Sequence, residues 1–248
     1  MSALQDVVAV APVAPVKRIR SYVANLDEQM EGGIPEGSVV LVCGRPGSMK
    51  SSLTYYMMYK QALHEGRASV YLTLEQGRSS FVRHLSHIGF NPEASDKVAI
   101  IDVAALRKSF GEGHRRKDTN WLTSMVDQAA SYKQLFGCEI VALDSMSALY
   151  SLHEFQNPRR ELFHFFEALR GLGLTVFLIS EMYDPDKDIF ARYEVEDFLA
   201  DVVIHLKVDR RDGQSNLYLG IVNMRETRHN RAYFPLIVDS EGFEVVTD

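Results

Sequence analysis

The segment Gly44-Arg45-Pro46-Gly47-Ser48-Met49-Lys50-Ser51 constrains this chain more than any other feature. It joins the apolar run SVVLVC (38–43) to a stretch of helical spacing from Ser51 to His64. A short apolar run closed by glycine reads as a buried strand, and apolar residues at three- and four-residue intervals read as a helix. A strand that curls through glycines into a helix points several backbone N–H groups, and the positive end of the helix, at one place. Such a place suits phosphate. Lys50 adds a full charge for the terminal phosphate oxygens, and Ser51 offers a hydroxyl to a divalent cation. Gly44, Arg45, Pro46, Gly47, Ser48, Met49, Lys50, Ser51 and the adjoining Ser52 are therefore the candidate phosphate-binding residues. Met49 stands where the pattern GxxxxGK[ST] has its last glycine. If that position needs a positive φ, Met carries a steric cost of roughly 1–2 kcal/mol. The bland reading, a strand–turn–helix junction with a chance Lys-Ser, is weakened because context, spacing and chemistry agree.

Two carboxylates fit the same chemistry. Asp144 ends the apolar run EIVALD (139–144), and the mouth of a parallel sheet lies at such strand ends. It suits the Walker-B role beside Ser51, reaching Mg²⁺ directly or through water, with Ser145 able to bind back towards the phosphates. Glu75 follows the run ASVYLTL (68–74) and is the candidate base that orients water. Gln76 beside it is neutral and cannot take a proton. A capping Asp and a solvated strand-end Glu are the plain alternatives.

The remaining pattern predicts an α/β fold. Strands at 98–102 and 175–180 alternate with helices at 78–88 and 119–136, the latter capped by Asp118 or Thr119, and a further helix opens at Asn157-Pro158. After about residue 200 strands follow one another, at 201–209, 216–224 and 233–240, with a turn at Asp212-Gly213. That order predicts a mostly parallel sheet with helices on both faces, extended by antiparallel C-terminal strands. The 248 residues suit one domain, 21–248, behind an Ala/Val/Pro-rich arm, 1–20. The basic cluster Lys17, Arg18, Arg20 reads as a solvated face, and the polar stretch 107–118 as a surface loop. Cys43 and Cys138 read as reduced core residues, and Phe163, Phe165 and Phe166 as packing on the sheet. His84 and His87, three apart on a helix, read as surface or interface groups, since no third metal ligand accompanies them. A net charge of −6 argues against a whole-domain nucleic-acid footprint, leaving only Arg115, Arg116 and Lys117 as a local basic patch. No apolar run is long enough for a membrane helix, and the N-terminal charges follow rather than precede the apolar stretch, so a cytoplasmic chain is expected.

Taken together, several stretches resemble the KaiC-like branch of the RecA ATPase superfamily. They are GGIPEGSVVLVCGRPGSMKSS, VYLTLEQ, VALDSMSAL, RRELFHFFEALRGLGLTVFLISE, ARYEVEDFLADVVIHL and NMRETRHNRAYFPLIVDSEGFEV, in the expected order from about residue 25 to 246. The resemblance implies a RecA-like P-loop core that binds ATP and Mg²⁺, assembled as a hexameric ring with nucleotide between subunits. It implies slow ATP hydrolysis and signalling through nucleotide or assembly state, with a protein partner reached through the arm or a ring face. Family members carry Lys-x-Arg on a C-terminal strand that reaches the neighbour's γ-phosphate. Here the stretch is Asn223-Met224-Arg225, so Arg225 is the candidate trans finger and the lysine is missing. His229 falls where the family has a histidine near the nucleotide. Where a two-domain relative autophosphorylates adjacent Ser and Thr, this chain has Asp197-Phe198, so autokinase chemistry is not expected. The alternatives are a RecA-like DNA-binding recombination protein and a non-hydrolysing nucleotide-sensing scaffold.

Overall fold

The computed structural model describes residues 15–103, 105, 120–182, 189–211 and 213–247. The stretch 107–118, Thr119, Asp212 and the first fourteen residues, with the expectations placed on them, lie outside that set. In chain order the first strands are β1 (Arg18–Ile19), β2 (Ile34–Pro35), β3 (Val39–Gly44), β4 (Ser69–Thr73) and β5 (Val98–Asp102). They are followed by β6 (Ile140–Asp144), β7 (Thr175–Glu181), β8 (Val202–Arg211), β9 (Gln214–Met224), β10 (Tyr233–Val238) and β11 (Phe243–Val245). The helices are α1 (Lys50–Glu65), α2 (Arg78–His87), α3 (Trp121–Phe136), α4 (Met146–Leu152), α5 (Pro158–Gly171) and α6 (Glu196–Leu199).

All six residues of β3 are buried. A strand apolar on both faces belongs inside a parallel sheet covered on both sides. Accordingly, β3 pairs in parallel with β7 on one flank and β8 on the other. The nine-stranded sheet has the order β11-β10-β9-β8-β3-β7-β6-β4-β5. The run from β8 to β5 is parallel, while β9, β10 and β11 add antiparallel strands at one edge. The expected mostly parallel sheet with an antiparallel C-terminal extension is therefore present.

Strand period divides the core in two. Val40, Val42, Tyr71, Phe177 and Ile179 face the side covered by α1 and α2. Val39, Leu41, Cys43, Val141 and Leu178 face the side covered by α3, α4 and α5. Cys43 and Cys138 are free, buried thiols, as expected. On α5, Leu162, Phe165, Phe166 and Leu169 form one buried face. Phe163 falls off that stripe and is 49% exposed, so it does not pack on the sheet as expected.

Other local expectations shift for identifiable reasons. Helix α3 is capped by Asn120, not Asp118 or Thr119, because its side-chain oxygen accepts from the Thr123 N–H. Asn157 caps α5 by accepting from Arg160 N, with Pro158 in the first turn, as the sequence indicates. Helix α4 was hidden within VALDSMSAL; Ser145 caps it by accepting from Ala148 N. Strands β1 and β2 pair near the entry of the chain, and a side-chain carbon at Gly33 would lie 2.3 Å from the Ile19 carbonyl oxygen. Arg18 is not part of a solvated face. Its guanidinium bonds Thr227 Oγ1 at 2.8 Å, the Gly33 and Glu226 carbonyls, and Glu31.

At the N-terminal ends of the parallel strands, Asp201 is the organising group. Its carboxylate accepts from Val39 N at 2.9 Å, from Arg170 Nε at 3.1 and 3.2 Å, and from Arg225 Nη1 at 2.9 Å. One side chain thus ties β3, α5 and the end of β9 together. We expect Asp201→Ala to lower unfolding free energy by about 2 kcal/mol, since partly buried donors lose a charged acceptor. Urea denaturation checks this, and a change under about 0.5 kcal/mol would show that water replaces the carboxylate freely.

Candidate functional site

The sheet order sets the site. Strands β3, β7, β6 and β4 are consecutive neighbours, so their C-terminal ends lie in a row. Gly44 pairs with Glu181, Ile179 with Asp144, and Asp144 with Thr73. Glu75 follows two residues beyond Thr73. A cleft of about 540 Å³ opens over these ends, lined by Lys50, Ser51, Glu75, Asp144 and Glu181 among others.

Each part of the loop has a physical cause. Gly44 ends β3 so close to β8 that a side-chain carbon would meet the Leu206 carbonyl oxygen at 2.4 Å. Met49 has φ 66° and ψ 23°, in the left-handed region. The missing glycine position therefore does need a positive φ. Met49 supports that conformation by packing its partly buried side chain against the core. Helix α1 starts at Lys50 with no side-chain cap, so the N–H groups of its first turn are left for other acceptors. Lys50 is 7% exposed, and its ammonium donates to the Arg45 carbonyl at 3.0 Å. Burial pulls its proton affinity below the ordinary lysine range, while Glu181, Asp144 and Glu75 oppose that shift. The Ser48 hydroxyl is buried and finds no hydrogen-bond partner among the described residues.

The carboxylates are held differently. Tyr71 O–H donates to Asp144 Oδ2 at 2.6 Å. Burial raises the Asp144 carboxyl above the usual carboxylate range, and the hydroxyls of Tyr71 and Ser51 pull it back down. Glu75 Oε1 accepts from the Ser145 hydroxyl, so Ser145 binds the neighbouring carboxylate rather than the loop. The turn presenting Glu75 is fixed by Thr73 Oγ1, which donates to the Gln76 carbonyl at 2.6 Å. Gln76 itself donates to Ser80 Oγ at 2.8 Å, at the start of α2. Glu181 and Tyr71 escaped the sequence reading. An acid ending an apolar strand, as at Asp144, was the available signal for Glu181. A tyrosine inside a buried strand, which needs a hydroxyl partner, was the signal for Tyr71.

Not every candidate reaches the cleft. Arg225 follows Met224, which pairs with Val202, which pairs with Val40 near the start of β3. The loop leaves the other end of β3, roughly 15 Å away along the strand. Arg225 is half exposed and bonds Asp201 and, through Nη2, the Phe198 carbonyl at 2.9 Å. His229 lies on the same side, its Nδ1 3.3 Å from the Thr227 carbonyl and its Nε2 buried with no partner among the described residues. Neither side chain can meet the phosphate loop of its own chain. His84 and His87 do not share a metal: His84 Nε2 is 3.0 Å from Ser52 Oγ, and His87 Nδ1 is 2.8 Å from the Arg83 carbonyl. Among the described residues no group of three metal-ligating side chains occurs. Nor is any described helix long and apolar enough to cross a membrane.

The Tyr71–Asp144 pair generates a stability prediction. A raised carboxyl binds its proton more tightly folded than unfolded, so ionising Asp144 disfavours the folded state as pH rises through its folded value. Tyr71 reduces that penalty. Tyr71→Phe should therefore destabilise by about 1–2 kcal/mol at neutral pH, and the deficit should shrink on acidification as Asp144 protonates. Denaturation of both proteins across pH checks the sign, and a deficit independent of pH would separate Tyr71 from the ionisation of Asp144.

Comparison with known proteins follows the same lines. The model of the family described as "ATPase: KaiC" matches residues 19–248. A UPF0273 protein of Pyrobaculum aerophilum is 32% identical, the match covering 94% of this chain and 84% of that protein. The circadian clock oscillator protein KaiC of a Picosynechococcus species is 23% identical over 93% of this chain but only 44% of its own length. The solved structure of a KaiC-like protein from the hyperthermophilic archaeon Pyrococcus horikoshii, 27% identical, superposes with a TM-score of 0.79 over 94% of this chain and 100% of that one. With the phosphate loop, the row of strand-end carboxylates and the RecA-like sheet in place, the chain belongs to the KaiC ATPase family.

Proposed function

We propose that this protein binds ATP with Mg²⁺ in the strand-end cleft and hydrolyses it slowly, within a ring whose nucleotide state is read by a partner. The observation that carries the reading is the buried Lys50 at the start of an uncapped helix, facing Asp144, Glu75 and Glu181 across one cleft. A buried cation beside free N–H groups recognises phosphate, and carboxylates opposite it serve a metal and a water. The Lys50 ammonium would exchange the Arg45 carbonyl for β- and γ-phosphate oxygens.

The donor set fits magnesium. Mg²⁺ keeps several waters and takes one or two protein oxygens plus phosphates, and Ser51 with Asp144 supplies such a pair. When bound, the ion neutralises charge developing on the transferred phosphoryl group. Glu75 would orient and deprotonate the attacking water, its Oε1 anchored by Ser145. Lys50→Ala should abolish tight ATP-Mg²⁺ binding by calorimetry. Glu75→Gln should keep binding but lose most turnover, because an amide accepts no proton. Unchanged affinity in the first variant, or wild-type rates in the second, would remove that residue from its role.

Arg225 supports assembly. Since it lies at the far end of the sheet from its own loop, a role at a γ-phosphate requires a second subunit. We read it as the trans finger of a hexamer, with His229 beside it on the contributed face. Such a finger is worth ~10³–10⁵ in rate. Mixing Lys50→Ala with Arg225→Ala subunits creates interfaces that join an intact loop to an intact finger, so ATPase activity should partly return. A mixture that co-assembles and stays inactive overturns the assignment.

A further inference from the structure

The cleft has a wall that the Lys50–Asp144 chemistry leaves unused. Ser51 and Ser52 are successive residues of α1, so their side chains leave the helix about 100° apart. Ser51 faces Asp144. Ser52 faces α2, where its hydroxyl shares a 3.0 Å hydrogen bond with His84 Nε2. Ser52 is 2% exposed, whereas His84 is exposed and lines the cleft. The cleft is therefore divided by two adjacent hydroxyls into a metal side and a histidine side.

The position of His84 is well fixed. Phe81, one helical turn earlier, is 1% exposed and stacks on Tyr71 at a ring separation of 4.7 Å. Tyr71 in turn donates to Asp144. Helix α2 is thus keyed to the same strand ends that carry the metal-side carboxylates. A hydrogen bond from an exposed imidazole does little to clamp two helices that already meet through Phe81, whose ring lies 5.8 Å from that of Tyr55 on α1. Its place in the cleft wall, beside the first turn of α1, gives it a different use.

Resting on the nucleotide reading above, we propose that His84 is a nucleotide-binding residue that contacts the α-phosphate of a nucleoside di- or triphosphate. With the terminal phosphates at Lys50 and Ser51, the next phosphate along the chain falls at the next residue of the helix, Ser52. An oxygen arriving there meets the imidazole, and His84 exchanges its bond to the Ser52 hydroxyl for one to phosphate. Lys50 makes the same kind of exchange when it leaves the Arg45 carbonyl. His84 consequently reads the nucleoside end of the polyphosphate, while Lys50 reads its free end.

The test measures, by calorimetry with Mg²⁺, binding of ADP and of the two diastereomers of ADP carrying sulfur on the α-phosphate. Wild type, His84→Ala, His84→Gln and Ser52→Ala are compared. His84→Ala should weaken ADP about tenfold, as expected for loss of one hydrogen bond to a charged group, with His84→Gln recovering part of the loss. Wild type should discriminate between the diastereomers, and His84→Ala should lose that discrimination. Ser52→Ala, which removes the helix-to-helix bond but leaves the imidazole, should keep it. Unaltered discrimination in His84→Ala, with Lys50→Ala still abolishing binding, overturns this inference alone. Loss of discrimination in Ser52→Ala but not in His84→Ala assigns the α-phosphate to the hydroxyl and likewise overturns it. No ADP binding by the wild-type protein would overturn the nucleotide reading as well.

Discussion

The site is organised about one buried charge. A lysine ammonium withdrawn from water is tolerated only with partners, and Lys50 has the Arg45 carbonyl at hand and three carboxylates across the cleft. Asp144 in turn is held by the Tyr71 and Ser51 hydroxyls as well as by that cation, and Glu75 by the Ser145 hydroxyl. The sheet makes the arrangement possible, since four neighbouring parallel strands all end on the same edge and each end can carry one polar group. The loop after β3 brings the cation, and the ends of β4, β6 and β7 bring Glu75, Asp144 and Glu181. Phosphate with a divalent ion would enter a cleft that already offers partners of both signs.

The opposite edge of the sheet has its own centre, and its logic is complementary. There a carboxylate, Asp201, gathers cations: Arg170 from α5 and Arg225 from the turn after β9. The antiparallel addition of β9 is what sends Arg225 to that edge, because reversing one strand exchanges its ends. An all-parallel sheet would have delivered the same residue to its own phosphate loop. The topology thus puts the phosphate-loop cleft and Arg225 at opposite edges of one chain. In the proposed ring, association between chains would reunite them, which connects strand direction to that proposal. In the proposed ring, the bond from Arg225 to Asp201 would hold the guanidinium in place before a neighbour arrives and so lower the entropy lost on forming the contact.

Much of this was legible because it obeys short periods. β3, β4, β6 and β7 are apolar runs closed by a glycine or an acid, and the loop after β3 declares itself through Gly44, Gly47, Lys50 and Ser51. The two-residue strands β1 and β2 were not visible, since no periodicity develops over two positions. The α3 cap was misplaced by one or two residues because Asp118, Thr119 and Asn120 are all competent caps, and only the geometry to Thr123 selects among them. Long-range pairings carried no local signal: Arg18 with Thr227 and Tyr71 with Asp144 are separated by 209 and 73 positions. His84 reads from sequence only as a surface or interface group, because a lone histidine on a polar helix looks the same whether its neighbour is water or Ser52.

Of the departures from the family pattern, Met49 and Asn223 differ in what they remove, while Gln76 leaves one carboxylate beside an amide. Met49 stands at the family's glycine position with φ 66°, which strains a residue that carries a side chain. That side chain packs against the core, which offsets part of the strain. Asn223 is another matter, because the family's lysine there contributes charge rather than shape. It lies exposed on β9, opposite Val203, two residues before Arg225. No backbone adjustment can restore a missing cation. The half of the site that a chain keeps for itself retains Lys50, Glu75 and Asp144 around one cleft. In the proposed ring, the half lent to a neighbour would retain its arginine and lack one unit of positive charge. Weakened coupling between nucleotide and assembly, rather than weakened binding, is what that reading expects of this sequence.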